Sequence, residues 1–309
     1  MGDLVRVRND AESISYYPWY LANTLGYFED EGLDVVRVGD GQGPGVAQYL
    51  TSSEAEIGLG GLWRTHIYRG RYATFKVFAQ LVDRCSSVLL SRQPIEGFDW
   101  TQVANSVVMI PGTTTAAMLL HGILRRAGVD LNTVRRIQIF DDVEAADMFE
   151  RGLGDFYLAG SPTLERMLKQ GSAHVAGTLA EIGEVPWSVF EAAPSFLERE
   201  DHAAGRFTKA VQRALLWIAS HDPSEAPDVF PRWYPNKHPD VVVEGIRGCK
   251  ARKVWCTDAH VSVPGLARWQ PMLVEAGLID EVWTHEEVVD DREADWAAAE
   301  LAKAAAGPT

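Results

Sequence analysis

The chain has 309 residues, 46% of them hydrophobic, enough to bury one large core or two smaller ones. Its formal charge of −14 and isoelectric point near 5.0 argue against a nucleic-acid or anionic-membrane partner, since both would need a basic face. An anionic ligand would have to be held by local positive groups against the overall field.

The opening Met-Gly-Asp-Leu-Val-Arg-Val-Arg has no apolar h-region and alternates apolar and polar residues over Leu4–Arg8, which predicts a strand and no export signal. As the sequence stands the expected location is cytoplasmic; a removed leader would make it periplasmic or extracellular. Tyr16, Tyr17 and Trp19 occupy the loop that follows. Pro18 marks a helix start, with Leu21, Ala22 and Leu25 on one face and Gly26 at its end. Val35–Val38 is the second strand. Gly39–Gly45, with four glycines and a proline, turns into a helix at Val46–Leu50. Glu56–Leu59 is a short third strand ending at Gly60–Gly61.

Lys76–Leu90 holds two further strands before a polar link over Ser91–Asp99. Val107–Ile110 is an apolar run of the kind covered on both faces, and Pro111–Thr115 leads from it into a helix. That helix shows an apolar face of Ala116, Leu119, Leu120, Ile123, Leu124 and Ala127, closed by Gly128. Strand Ile137–Phe140, helix Val143–Arg151 and strand Phe156–Ala159 complete a β–α–β alternation. Beyond Glu184–Trp187 the pattern turns helical, with Phe207, Ala210, Val211, Ala214, Leu215 and Ile218 on one long helix. Pro264–Ala276 and Asp291–Ala306 are helical too, the last an Ala-rich, acidic surface helix or frayed tail.

Cys85, Cys249 and Cys256 are an odd number with no C-x-x-C, so buried free thiols are expected, with a Cys249–Cys256 bridge as the alternative. No apolar run nears the ~20 residues of a membrane span. The histidines lack metal spacing, and no Walker A, G-x-S-x-G or dinucleotide glycine fingerprint occurs, so neither metal nor cofactor is expected.

Several segments, taken in order, resemble the periplasmic solute-binding proteins of the sulfonate, nitrate and thiamin-precursor type. Pro18–Ala22 with Gly26–Val35 is similar to that family's entry segment, P-x-Y-x-A followed by G-x-F-x-x-x-G-L-D-V. Leu50–Ile57, Asp99–Asp130, Gly152–Phe156 and Gly183–Phe190 resemble later family segments, with Glu56 where Asp is usual and Asn105–Ser106 where Gly-Lys is usual. The likeness runs from about residue 4 to 285. It implies a two-lobed α/β fold of the type II periplasmic-binding-protein kind, each lobe a mixed sheet flanked by helices. Residues 1–93 with 190–309 would form one lobe and 94–189 the other, closing on a ligand between them.

The resemblance also points to candidate ligand residues. Gly112, Thr113 and Thr114 lie at a helix start, where free N–H groups and hydroxyls suit an anion; the plain alternative is an N-cap after a Gly turn. Trp63 could stack on a flat ligand and Arg64 clamp an anion, or Trp63 could simply pack under its loop. Tyr16, Tyr17, Trp19 and Trp187 would add an aromatic wall, and Ser161 a hydroxyl. The expected partners are a small-molecule solute, anionic or aromatic, and an ABC permease if the protein is exported. A cytoplasmic lyase or decarboxylase on the same scaffold is the alternative, with His66 as acid or base; a lone histidine without an orienting carboxylate is more often structural. The thiamin-precursor synthases of this family carry lysine and histidine where Gly60 and Arg64 stand here, and its sulfinate desulfinases a cysteine near Tyr16–Tyr17.

Overall fold

The computed structural model describes residues 2–10, 12–39, 45–70, 73–111, 114–139 and 141–306. The strands among them are β1 (Asp3–Asn9), β2 (Leu33–Arg37), β3 (Ile57–Gly60), β4 (Lys76–Val82), β5 (Val88–Ser91), β6 (Val107–Pro111), β7 (Arg135–Ile139), β8 (Phe156–Ala159), β9 (His174–Thr178) and β10 (Ser188–Ala192). They form two mixed sheets of five strands each.

In the first sheet, ordered β2-β1-β3-β10-β4, β1 lies parallel to β2 (Val5 opposite Val35) and to β3 (Val7 opposite Ile57). β10 runs antiparallel to both β3 and β4, with Phe190 opposite Leu59 on one side and Ala79 on the other. The carboxyl ends of β1 to β4 and the amino end of β10 therefore share one edge. The second sheet, β7-β6-β8-β5-β9, places β6 at the centre of a parallel trio; β5 runs antiparallel to β8, and β9, antiparallel to β5, regains the direction of the trio. Val108 and Met109 of β6 are fully buried, as the apolar run predicts.

Two compact units result: Met1–Asp83 with Glu184–Asn236 and Trp255–Thr309, and Arg84–Gly183 with Lys237–Val254. The expected divisions at 93/94 and 189/190 shift for a hydrogen-bonding reason. β5 pairs with β8 and β9, so residues 88–91 belong to the second sheet, whereas β10 begins at Ser188 and completes the first. The helix Pro239–Ala251 joins the second unit by packing on the helix Thr163–Gln170.

The core of the first unit is aromatic. Phe28 stacks on Phe207 (4.9 Å, 22°), and Phe190 meets Phe207 edge-on. Burying each such ring contributes about 1.5–3 kcal/mol. The apolar face read on the long helix is buried throughout Ala203–Ser220. The expected surface helix or frayed tail differs: Arg292–Ala306 docks on Ala203–Ser220 through buried Glu293, Ala294 and Ala297, the two alanines being small enough to allow close approach. All three cysteines are free and buried, as expected.

Candidate functional site

The shared edge of the first sheet is where the chain reverses its winding, because β1 leads outward to β2 and the chain then returns to place β3 on the other side of β1. Asp10 follows β1 directly, and its backbone N–H donates to Leu59 O at 3.0 Å, fixing it beside the end of β3. Arg64 follows β3 in the short helix Trp63–Tyr68, and its side chain folds back over the strand. Arg64 Nη1 donates to Asp10 Oδ2 (2.7 Å) and Nε to Glu191 Oε1 of β10 (3.1 Å). Thr65 Oγ1 donates to Glu191 Oε2 at 2.6 Å, and Tyr16 Oη to Asp10 Oδ1 at 2.5 Å.

Only glycine permits this packing. A Cβ on Gly60 would stand 2.1 Å from Arg64 Nη1 and 2.3 Å from Asp10 Oδ2. Gly61 likewise leaves room for the Trp63 indole, whose Nε1 would be 2.4 Å from a Cβ there.

Burial decides the electrostatics. The Arg64 side chain is 4% exposed and Glu191 0%, while Asp10 retains 32%. Burial works against the charge on Arg64, but Glu191 and Asp10 outweigh it and hold its pKa above the ordinary value. Burial, then the charge of Asp10, pushes the Tyr16 phenol well above 10.0. The cluster thus carries one guanidinium against two carboxylates. Arg64 is a structural cation already matched by Glu191 and Asp10, which removes it as the expected free anion clamp.

The other sequence candidates separate clearly. Trp63 and Trp187 are half-buried, Trp187 with its ring 6.1 Å from Trp269, and both lie at this edge. Tyr16 is there too, but buried and committed to Asp10. Tyr17 is fully buried against Trp255, and Trp19 among Tyr20, Phe28 and Trp233; an aromatic-rich helix start that packs inward makes them core residues rather than ligand walls. His66 is 2% exposed, its Nδ1 3.3 Å from Leu62 O and its ring stacked on Trp283 (5.1 Å, 2°). Burial lowers its pKa to about 4. It is a neutral packed histidine, which takes away the expected acid or base.

In the second unit, Ser161 Oγ donates to Glu165 Oε1 (2.8 Å) and accepts from Arg252 Nη2 (2.8 Å), a local network rather than a free hydroxyl. Thr114 opens the helix Thr114–Arg126, and Gly112 and Thr113 lie outside the described residues. A groove of about 710 Å³ lies between the helices Thr163–Gln170 and Pro239–Ala251, lined by Glu165, Arg166, Lys169, Asp240 and Glu244. Its lining mixes charged side chains with Pro162 and Val241, and Glu165 in it is already paired with Arg252.

Sequence reasoning missed Asp10 and Glu191. A signal existed for the last: a glutamate beside Val-Phe in the five-residue strand Ser-Val-Phe-Glu-Ala.

A family model described as NMT1/THI5 like matches residues 13–226, more than half of the chain. The protein belongs to the NMT1/THI5-like family. YtlA of Bacillus subtilis (strain 168), named as a candidate binding protein, is 29% identical over 265 residues, covering 82% of this chain and 78% of that one. The periplasmic aliphatic sulphonate binding protein SsuA of Escherichia coli superposes with a TM-score of 0.75 at 14% identity, covering 94% of this chain and 93% of its own. The desulfurization enzyme DSZB shares the fold at a TM-score of 0.69 and 14% identity, over 97% and 99% of the two chains. This member of the NMT1/THI5-like family thus has a scaffold found in both binding proteins and an enzyme, and its own side chains must decide between them.

Proposed function

We propose that this protein is a solute-binding component of an ABC-type import system, and that it takes a small organic molecule with a planar, aromatic body. The carrying observation is the pair of half-buried indoles, Trp63 after β3 and Trp187 before β10, on the strand-tip edge of the first sheet. Open α/β sheets bind ligands outside the carboxyl ends of their strands, where the winding reverses. Two indoles at such a place suit a flat ligand. The family membership and the names of YtlA and SsuA favour a receptor. The anionic character expected from Arg64 loses its support, because that guanidinium is already matched. A lyase or decarboxylase reading likewise loses His66.

Calorimetry with a panel of aromatic acids, sulfonates and amines tests the proposal. Binding of at least one planar compound, with quenching of indole fluorescence that falls in Trp63→Leu and Trp187→Leu, is the expected result. A compound consumed rather than retained would overturn it. A receptor serving a permease works outside the cytoplasmic membrane, and fractionation of the producing cell checks that placement.

A further inference from the structure

The charge count at the strand edge says which kind of flat molecule fits. Arg64 has its Nε on Glu191 and one Nη1 hydrogen on Asp10, so its charge is shared between two carboxylates. Its Nη2 is buried without a partner among the described residues, sealed away from solvent. Glu191 is fully buried, with Arg64 on one oxygen and Thr65 on the other. The Tyr16 hydroxyl is spent on Asp10. The Arg8 guanidinium, on the adjoining strand, lies 4.8 Å over the Tyr49 ring and donates to Val38 O, toward β2. Within the cluster of Arg64, Glu191, Tyr16 and Asp10, the group that faces water is Asp10, 32% exposed. Each of its oxygens accepts one hydrogen bond here, and a carboxylate oxygen can accept two.

We infer that Asp10 sets ligand specificity by accepting a hydrogen bond from the solute, so that the solute's polar edge carries N–H donors (an amine, amide or amidine) rather than a bare carboxylate or sulfonate. An anion brought against Asp10 would meet a like charge in a partly desolvated place, where such charges repel. A donor meets an acceptor that the fold has already oriented through Tyr16 and Arg64. The buried pair Arg64–Glu191 acts as a brace that holds Asp10 in position, not as a contact. The inference rests on the binding reading above and narrows its ligand class.

Benzamidine and benzoate are flat, of nearly equal size, and opposite at their polar edge. Calorimetric titration of the full chain with each is the test. Benzamidine is expected to bind at least about tenfold tighter, the effect of one charge-assisted hydrogen bond. In Asp10→Asn, which keeps the shape and one acceptor oxygen, that preference is expected to shrink about tenfold or reverse, with the melting temperature confirming a folded protein. Tighter binding of benzoate by the native chain overturns the inference and leaves the binding reading standing. An unchanged preference in Asp10→Asn also overturns it. Failure of both compounds, and of every planar compound in the wider panel, overturns the binding reading and the inference with it.

Discussion

Each unit carries an arginine–glutamate pair with a hydroxyl beside it, and the two are built to different ends. In the first, Arg64 is 4% exposed, folded over a glycine, and answers two carboxylates, one just after β1 and one within β10. In the second, Arg252 is 19% exposed and answers Glu165, 13% exposed, with Ser161 between them. The arginine and glutamate of the first network are thus sealed more completely than those of the second. The contrast teaches that identical residue types make a fully sealed ion pair or a partly solvated one according to what covers them.

The sharpest way to break this comparison is to remove each arginine. Arg64→Met should lower stability by about 3–5 kcal/mol, because it strands Glu191 as an unpaired buried charge. Arg252→Met should lose about 1–2 kcal/mol. Urea unfolding measures both, and equal losses would erase the distinction.

A pH titration of stability probes the same interior next to Arg64. His66 is held neutral with a pKa near 4, so between pH 6.5 and 4 the unfolded chain binds more protons than the folded one. Stability should therefore fall by up to about 3 kcal/mol as pH drops through that window, and His66→Phe should flatten the fall. Urea midpoints at each pH provide the measurement.

The glycines that flank the two networks offer a smaller contrast. Gly60→Ala should lose about 1–3 kcal/mol, since the guanidinium it meets is buried and held on two sides. Gly160→Ala, beside Ser161 and with nothing within 4 Å of the added carbon, should change stability by less than about 0.5 kcal/mol. Thermal melts of the pair separate them.

The smallest effect concerns His260, which bridges Asp258 (3.0 Å) and Asp295 (3.1 Å) and so ties down the helix Arg292–Ala306. Burial opposes its charge, but the hydrogen bonds to Asp295 and Asp258 raise its pKa. Its contribution is complete below pH 6.5 and lost as pH rises through the raised value, the reverse of His66. Amide exchange in that helix should quicken on the alkaline side, and His260→Gln should abolish the dependence.

Much of the fold could be read in the sequence because periodicity is a local signal. Val108–Ile110, by its continuous apolar run, and the face from Phe207 to Ile218, by its spacing, declared their burial. β10 escaped, because its interior glutamate breaks an apolar run and its partners, β3 and β4, lie more than a hundred residues away. The site was legible only in outline. Trp63 and Trp187 were found where strand ends put them, whereas Trp19 proved to be core, since a residue's type does not say which way a helix faces. Asp10 and Glu191 have meaning only once β1, β3 and β10 come together beside Arg64, a long-range fact that no local pattern carries.

The buried cysteines have a practical consequence. Burial pushes the thiol of Cys85 up to about 12, that of Cys249 to about 11, and that of Cys256 well above 9.0. Alkylating reagents, which need accessible thiolate, will leave the native protein untouched. Cys256 belongs to the first unit and the other two to the second. Mass-resolved labelling under mild denaturant will therefore reveal which half loosens first, with no engineered probe and no disulfide to reduce.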